Sequence, residues 1–148
     1  MEKCKISKSP ENTFNIGFEL GASIKNTPLL IGLTGEMGSG KTVFAKGLAE
    51  GLGVKELITS PTFLGISECY SGRLPFIHMD FYKKVSTQEI IDFYLKKNSV
   101  ILIEWIENFS LVFINKPLKP DIRVYIQFIK DKTGSYFENE RQIMLYYI

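Results

Sequence analysis

The chain has 148 residues, a formal net charge of +2 and a 45% hydrophobic composition. That length fits one domain, residues 1–148, whose core needs no disulfide or metal staple. The mild charge argues against a strong independent nucleic-acid binder. No apolar run approaches the roughly 18 residues of a membrane span, and the polar N-terminus lacks the apolar centre of a signal peptide, so a cytoplasmic protein is expected.

Lys3 to Ser7 reads as a leading strand that ends at Ser9-Pro10. Asn12 to Lys25 reads as a helix with Phe14, Phe18 and Ala22 as its apolar stripe, while Gly17 and Gly21 weaken it. Leu29 to Leu33 is a short buried strand. A glycine-rich turn follows, then a helix from Val43 to Leu52, with Phe44, Leu48 and Leu52 at four-residue spacing. Gly53 is placed to cap it. After Ser60-Pro61-Thr62, the stretch from Phe63 to Tyr70 alternates as a strand. Ser71-Gly72-Arg73 makes a turn, and Leu74 to Asp80 is the returning strand of a hairpin. Ser86 with Glu89 is a capping-box signal for a helix reaching about Lys97. Val100 to Ile103 is wholly apolar, as in the middle of a parallel sheet. Ile122 to Phe128 alternates as a half-buried strand, Asp131 to Gly134 turns, and Arg141 to Tyr147 pairs back. The expected architecture is an α/β three-layer phosphate-loop fold, its parallel core extended by antiparallel strands. Cys4 and Cys69 lack paired metal spacing and read as reduced thiols.

The segment that carries chemistry is Gly35-Glu36-Met37-Gly38-Ser39-Gly40-Lys41-Thr42, followed by Val43. It fits the phosphate-loop pattern G-x-x-x-x-G-K-S/T between a strand and a helix. Backbone N–H groups and the helix N-terminus favour an anion there. Gly35, Gly38 and Gly40 allow positive φ and close backbone approach. Lys41 can bridge β- and γ-phosphates, and the Thr42 hydroxyl can ligand magnesium. Glu104 directly follows the apolar strand, which is the Walker B pattern of an acid delivered beside the loop. Asp80 ends another strand. It is either a second carboxylate that orients water or accepts its proton, or a turn aspartate. His78, the only histidine, shares a strand face with Asp80, though a lone histidine is more often structural. Thr62 is either a switch-loop contact to phosphate or magnesium, or part of a turn. Trp105 reads more as core packing than as a stacking platform.

Two absences narrow the reaction. Asn115-Lys116-Pro117-Leu118 lacks the aspartate of a guanine reader. The arginines are Arg73, Arg123 and Arg141, scattered along the chain. They offer little for the lid of a small-molecule kinase, and no catalytic arginine is evident. A nucleoside triphosphate held with magnesium is expected, and the loop alone does not say whether it is hydrolysed. An ATPase, a small-metabolite or nucleoside kinase and a nucleotide-gated binding module with negligible hydrolysis remain the alternatives.

These pieces together resemble one family. The phosphate loop, Ser60-Pro61-Thr62-Phe63, His78-Met79-Asp80-Phe81-Tyr82 and Leu102-Ile103-Glu104-Trp105 follow in the order and spacing of TsaE, the small ATPase of tRNA threonylcarbamoyladenosine synthesis. The helix with Lys46, Gly47, Leu48 and Gly51-Leu52-Gly53 extends the likeness over nearly the whole chain. Glu36, Met37 and Ser39 depart from the family's usual loop residues, and Lys83 stands where the family has arginine. The resemblance implies ATP and magnesium at the loop and hydrolysis of ATP. It also implies docking on a TsaB–TsaD pair, with tRNA reached only through that complex. It places Ser9 and Thr13 near the adenine.

Overall fold

The computed structural model describes residues 1–61 and 65–148. The elements run β1 (Glu2–Ser7), α1 (Pro10–Ser23), β2 (Leu29–Gly35), α2 (Lys41–Gly51), β3 (Ile66–Cys69), β4 (Phe76–Asp80), α3 (Gln88–Lys96), β5 (Val100–Glu104), α4 (Asn108–Val112), β6 (Ile122–Lys130) and β7 (Tyr136–Tyr147). One sheet takes the order β1-β7-β6-β2-β5-β4-β3. The inner strands β6, β2, β5 and β4 are parallel, while β7, β1 and β3 join antiparallel at the flanks. This is the three-layer α/β phosphate-loop architecture expected from the sequence.

The layers follow from strand alternation. On β5, Val100 and Leu102 join the core beneath α1 and α2, whereas Ile101 and Ile103 join the core beneath α3 and α4. A strand covered on both faces must be apolar throughout, so Val100 to Ile103 shows no alternation in the sequence. The parity carries to the end of the strand. Glu104 lies on the α2 face, and so do His78 and Asp80, which stand opposite Leu102 and Glu104 in register.

Helix α1 departs from its expected stripe. Ile16, Gly17, Leu20 and Gly21 are buried, whereas Phe18 is exposed. The reason is contact with α2. A Cβ on Gly17 would stand 2.4 Å from the Phe44 carbonyl oxygen, and one on Gly47 2.0 Å from the Phe14 oxygen. Gly21 and Gly51 are equally close to the opposing helix. The glycines that weaken each helix alone let the two backbones touch, and this rotates Phe18 outward. Ser9 caps α1, its hydroxyl accepting from the Asn12 N–H at 3.0 Å. Arg73 donates to the Gly21 and Ile24 carbonyls at its other end.

One smaller expectation shifts. The cap of α3 is Thr87, not Ser86. Its hydroxyl accepts from the Ile90 N–H at 3.4 Å, and the helix starts one residue later. The short α4 carries no clear periodic signal in the sequence. Thr62 and Phe63 of the expected Ser-Pro-Thr-Phe feature lie outside the described residues, and β3 is described from Ile66.

Candidate functional site

Strand β2 ends at Gly35, and α2 begins at Lys41, so the glycine-rich turn lies between a sheet edge and a helix N-terminus. Gly38 and Gly40 adopt φ of 75° and 108°. Gly40 is the N-cap of α2 and brings no side-chain cap, which leaves the first-turn N–H groups to an anion. Among the described residues, no atom beyond Gly38 itself and its two chain neighbours lies within 4 Å of where a Gly38 Cβ would stand, so that position opens outward. Gly35 differs from expectation. It has no positive φ, and it is required because a Cβ would meet Ser39 Oγ at 2.6 Å and the Ile126 oxygen at 2.7 Å.

One cavity of about 390 Å³ gathers Lys41, Thr42, Ser60, Asp80, Glu104 and Trp105 at this edge. The sequence-predicted acids and the loop therefore meet in space. Lys41 is 8% exposed. Its ammonium donates to the carbonyls of Gly35 at 2.5 Å and Glu36 at 2.9 Å. Burial holds that ammonium below the ordinary lysine range, against the opposing pull of Glu104, Asp80 and Glu107. The Thr42 hydroxyl stands 3.3 Å from Ser60 Oγ.

Glu104 is almost completely buried. Its Oε2 lies 3.5 Å from His78 Nε2, an approach longer than a good hydrogen bond, and its Oε1 has no partner among the described residues. A buried carboxylate oxygen left over in this way is costly unless something external uses it. Asp80 Oδ1 accepts the Tyr82 N–H at 2.9 Å. Burial pushes the Asp80 carboxyl up. The Tyr82 hydrogen bond, His78 and Lys41 oppose that rise, while Glu104 adds to it.

Trp105, expected as core packing, does more than fill the core. It is half-buried and takes φ 56°, an unusual conformation for a bulky residue. Its backbone N–H donates to the Leu33 carbonyl at 3.1 Å. The turn presents the ring to Lys41, whose ammonium is 4.6 Å from the ring centroid, and to Tyr82 at 5.1 Å.

Ser39 and Val43 face a second, smaller cavity of about 150 Å³, shared with Ser9, Thr13, Asn139 and Arg141. Ser39 itself is buried, and its Oγ has no partner among the described residues. Glu36 and Met37 sit exposed on the outer part of the turn. Sequence reasoning missed Arg141, which reaches the loop from β7. It also missed Glu107, which accepts from the Thr34 hydroxyl at 3.1 Å. Ser60 could have been found from the Ser-Pro-Thr feature. Nothing local marks the other two.

A family profile for "Threonylcarbamoyl adenosine biosynthesis protein TsaE" matches residues 7–142. The chain belongs to the TsaE family. Among relatives named tRNA threonylcarbamoyladenosine biosynthesis protein TsaE, that of Bacillus subtilis is 40% identical over 99 residues, 66% of this chain and 62% of that protein. That of Nostoc is 32% identical over 133 residues, 84% of this chain and 76% of that protein. That of Aquifex aeolicus is 29% identical over 146 residues, 95% and 93% of the two chains. A crystal structure of Bacillus subtilis YdiB superposes with a TM-score of 0.75 at 28% identity, over 98% of this chain and 84% of that one.

The site can be tested against the nucleotide and magnesium that a TsaE fold implies. The open positive-φ glycines, the helix N-terminus without a side-chain cap and the Glu104 oxygen that has no partner among the described residues fit such a ligand. Among the described residues no three His, Cys, Asp or Glu side chains cluster as a metal cage. Magnesium does not need one, since it is commonly held by one or two protein groups together with phosphates and water. No helix among the described residues is long and apolar enough to cross a membrane.

Proposed function

We propose that the chain is the ATP-hydrolysing component of tRNA threonylcarbamoyladenosine synthesis, acting as one cytoplasmic domain with the TsaB–TsaD pair. One observation carries the catalytic part. Lys41, Thr42, Asp80 and Glu104, brought from three separate elements, line one cavity at the mouth of the glycine-rich loop. Membership in the TsaE family supports the biological role. tRNA is reached through the partners, in keeping with a net charge of only +2.

The reaction is ATP plus water to ADP plus phosphate. Residues Gly35 to Val43 hold the nucleotide, with loop N–H groups on the phosphates. Lys41 leaves its carbonyl partners and offsets charge on the transferred group. Thr42 and Glu104 would hold magnesium, which when bound neutralises charge on the phosphate oxygens. Asp80, held by the Tyr82 N–H, orients the attacking water or accepts its proton. Burial pushes its carboxyl up, toward a better proton acceptor. The chain places no arginine among the residues of this cavity, so turnover alone should be slow and a partner completes the site.

The test measures Mg-ATP affinity and hydrolysis of the parent and of Lys41→Ala, each with and without TsaB–TsaD. Binding by the parent, its loss in a folded Lys41→Ala and faster turnover with partners support the proposal. Equal affinity in the two proteins would reject the loop as the nucleotide site.

A further inference from the structure

We propose that Arg141 is a positioning residue for nucleotide binding, because it fixes the orientation of the Ser39–Gly40 peptide. The inference rests on the reading that the loop binds a nucleoside phosphate. Arg141 lies in β7, opposite Phe128 of β6 and Ser7 of β1. Its guanidinium spans the gap between this flanking strand and the loop. Nε donates to the Ser39 carbonyl at 3.0 Å, and Nη2 reaches the Gly38 carbonyl at 3.4 Å. Nη1 donates to the carbonyls of Glu138 at 2.9 Å and Glu140 at 2.8 Å. The Phe128 ring lies 4.3 Å below the group. A planar fork with five donors meets four carbonyls from two elements, a geometry that lysine cannot copy.

The consequence follows from peptide geometry. In a trans peptide the C=O and the next N–H point in opposite directions. Holding the Ser39 oxygen on Arg141 therefore aims the Gly40 N–H away from β7. Gly38 and Gly40, both at positive φ, flank Ser39, and glycine passes readily between the two signs of φ. Without an anchor this peptide is free to flip, which would turn a carbonyl dipole toward a bound phosphate. The Arg141 charge also offsets the partial negative charge of carbonyls gathered behind an anion site. The antiparallel flank, which looks like a sheet extension, thus becomes part of the nucleotide site.

The experiment titrates Mg-ADP and Mg-ATP into the parent, Arg141→Ala and Arg141→Lys, with Trp105 fluorescence as one readout. Trp105 is the only tryptophan, and it faces Lys41. Losing charge-assisted hydrogen bonds that hold a binding loop weakens affinity by roughly ten- to a hundredfold. Arg141→Ala should show that loss equally for ADP and ATP, since the braced peptide serves no group unique to ATP. KM for ATP should rise by a similar factor with kcat much less affected, and Arg141→Lys should fall between. Free guanidinium ion at non-denaturing concentration should restore affinity to Arg141→Ala and do nothing for the parent. A purely structural role would lower the melting temperature and leave the affinity of the folded fraction unchanged, and rescue would be absent. If Arg141→Ala does not fold, Arg141→Lys decides alone, and parental affinity for both nucleotides in that variant overturns the inference. A parent that binds neither nucleotide overturns the reading of the loop, and this inference with it.

Discussion

Replacing Gly47 with alanine sets two physical effects against each other. Local propensity favours the change, since alanine in a helix interior is better than glycine by about 1 kcal/mol. Packing opposes it. The new Cβ would stand 2.0 Å from the Phe14 oxygen, 2.9 Å from the Phe14 carbonyl carbon and 3.0 Å from the Phe18 nitrogen. Comfortable contacts between such atoms lie near ~3.5 Å, and every atom in the way is backbone, so no side-chain rotation relieves the clash. Helix α1 must move bodily off α2. Overpacking of this kind costs about 3 kcal/mol at the upper end of its usual range. Subtracting the propensity gain leaves a net destabilisation of about 2 kcal/mol. For a domain of this size that lowers the melting temperature by roughly 4–8 °C. Urea denaturation should show a lower midpoint at unchanged slope. Lys46→Ala, one residue earlier and exposed, is the control, with a change within about 0.5 kcal/mol. A Gly47→Ala protein as stable as the parent, or more so, would refute the close helix contact and restore the propensity argument.

Three further outcomes are expected. Glu104→Ala should keep Mg-ATP binding but lose most hydrolysis in a single-turnover assay, and a parental rate would remove Glu104 from the mechanism. Asp80→Asn should raise the melting temperature at neutral pH. The folded Asp80 carboxyl sits above its ordinary value of 3.8, so ionising it costs the folded state more than the unfolded one. That cost exists only where the carboxylate is charged, so the gain should fade as pH falls through the raised value toward 3.8. A gain that persists unchanged in acid would point to a cause other than desolvation near Glu104, His78 and Lys41. ATP should outcompete GTP in a binding competition, because Asn115-Lys116 is not followed by a guanine-reading aspartate. Clear GTP preference would contradict that reading.

Much of the site is legible in the sequence because its signals are local. The phosphate loop, the apolar strand that ends in Glu104 and the strand that ends in Asp80 each fit within about ten residues, and strand parity then sets their common face. What could not be read is what depends on a partner element. Gly17 and Gly47 look like defects when each helix is considered alone, and become contacts only when the helices meet. Phe14 and Phe18 suggested the wrong stripe for the same reason. Arg141 lies 102 residues from Ser39 in sequence, and no spacing rule connects an arginine on a flanking strand to a loop carbonyl. The left-handed turn at Trp105 is equally silent, since a tryptophan after a buried strand is ordinarily core.

The role in tRNA modification is tested by genetics and chemistry together. In a bacterium depleted of its own TsaE, the parent chain and Lys41→Ala are expressed at equal levels, and threonylcarbamoyladenosine in bulk tRNA is measured by mass spectrometry. The parent should restore the modification, and Lys41→Ala should not. Restoration by both would show that the role does not run through the nucleotide site, and restoration by neither, with the parent folded and bound to TsaB–TsaD, would contradict the proposed function.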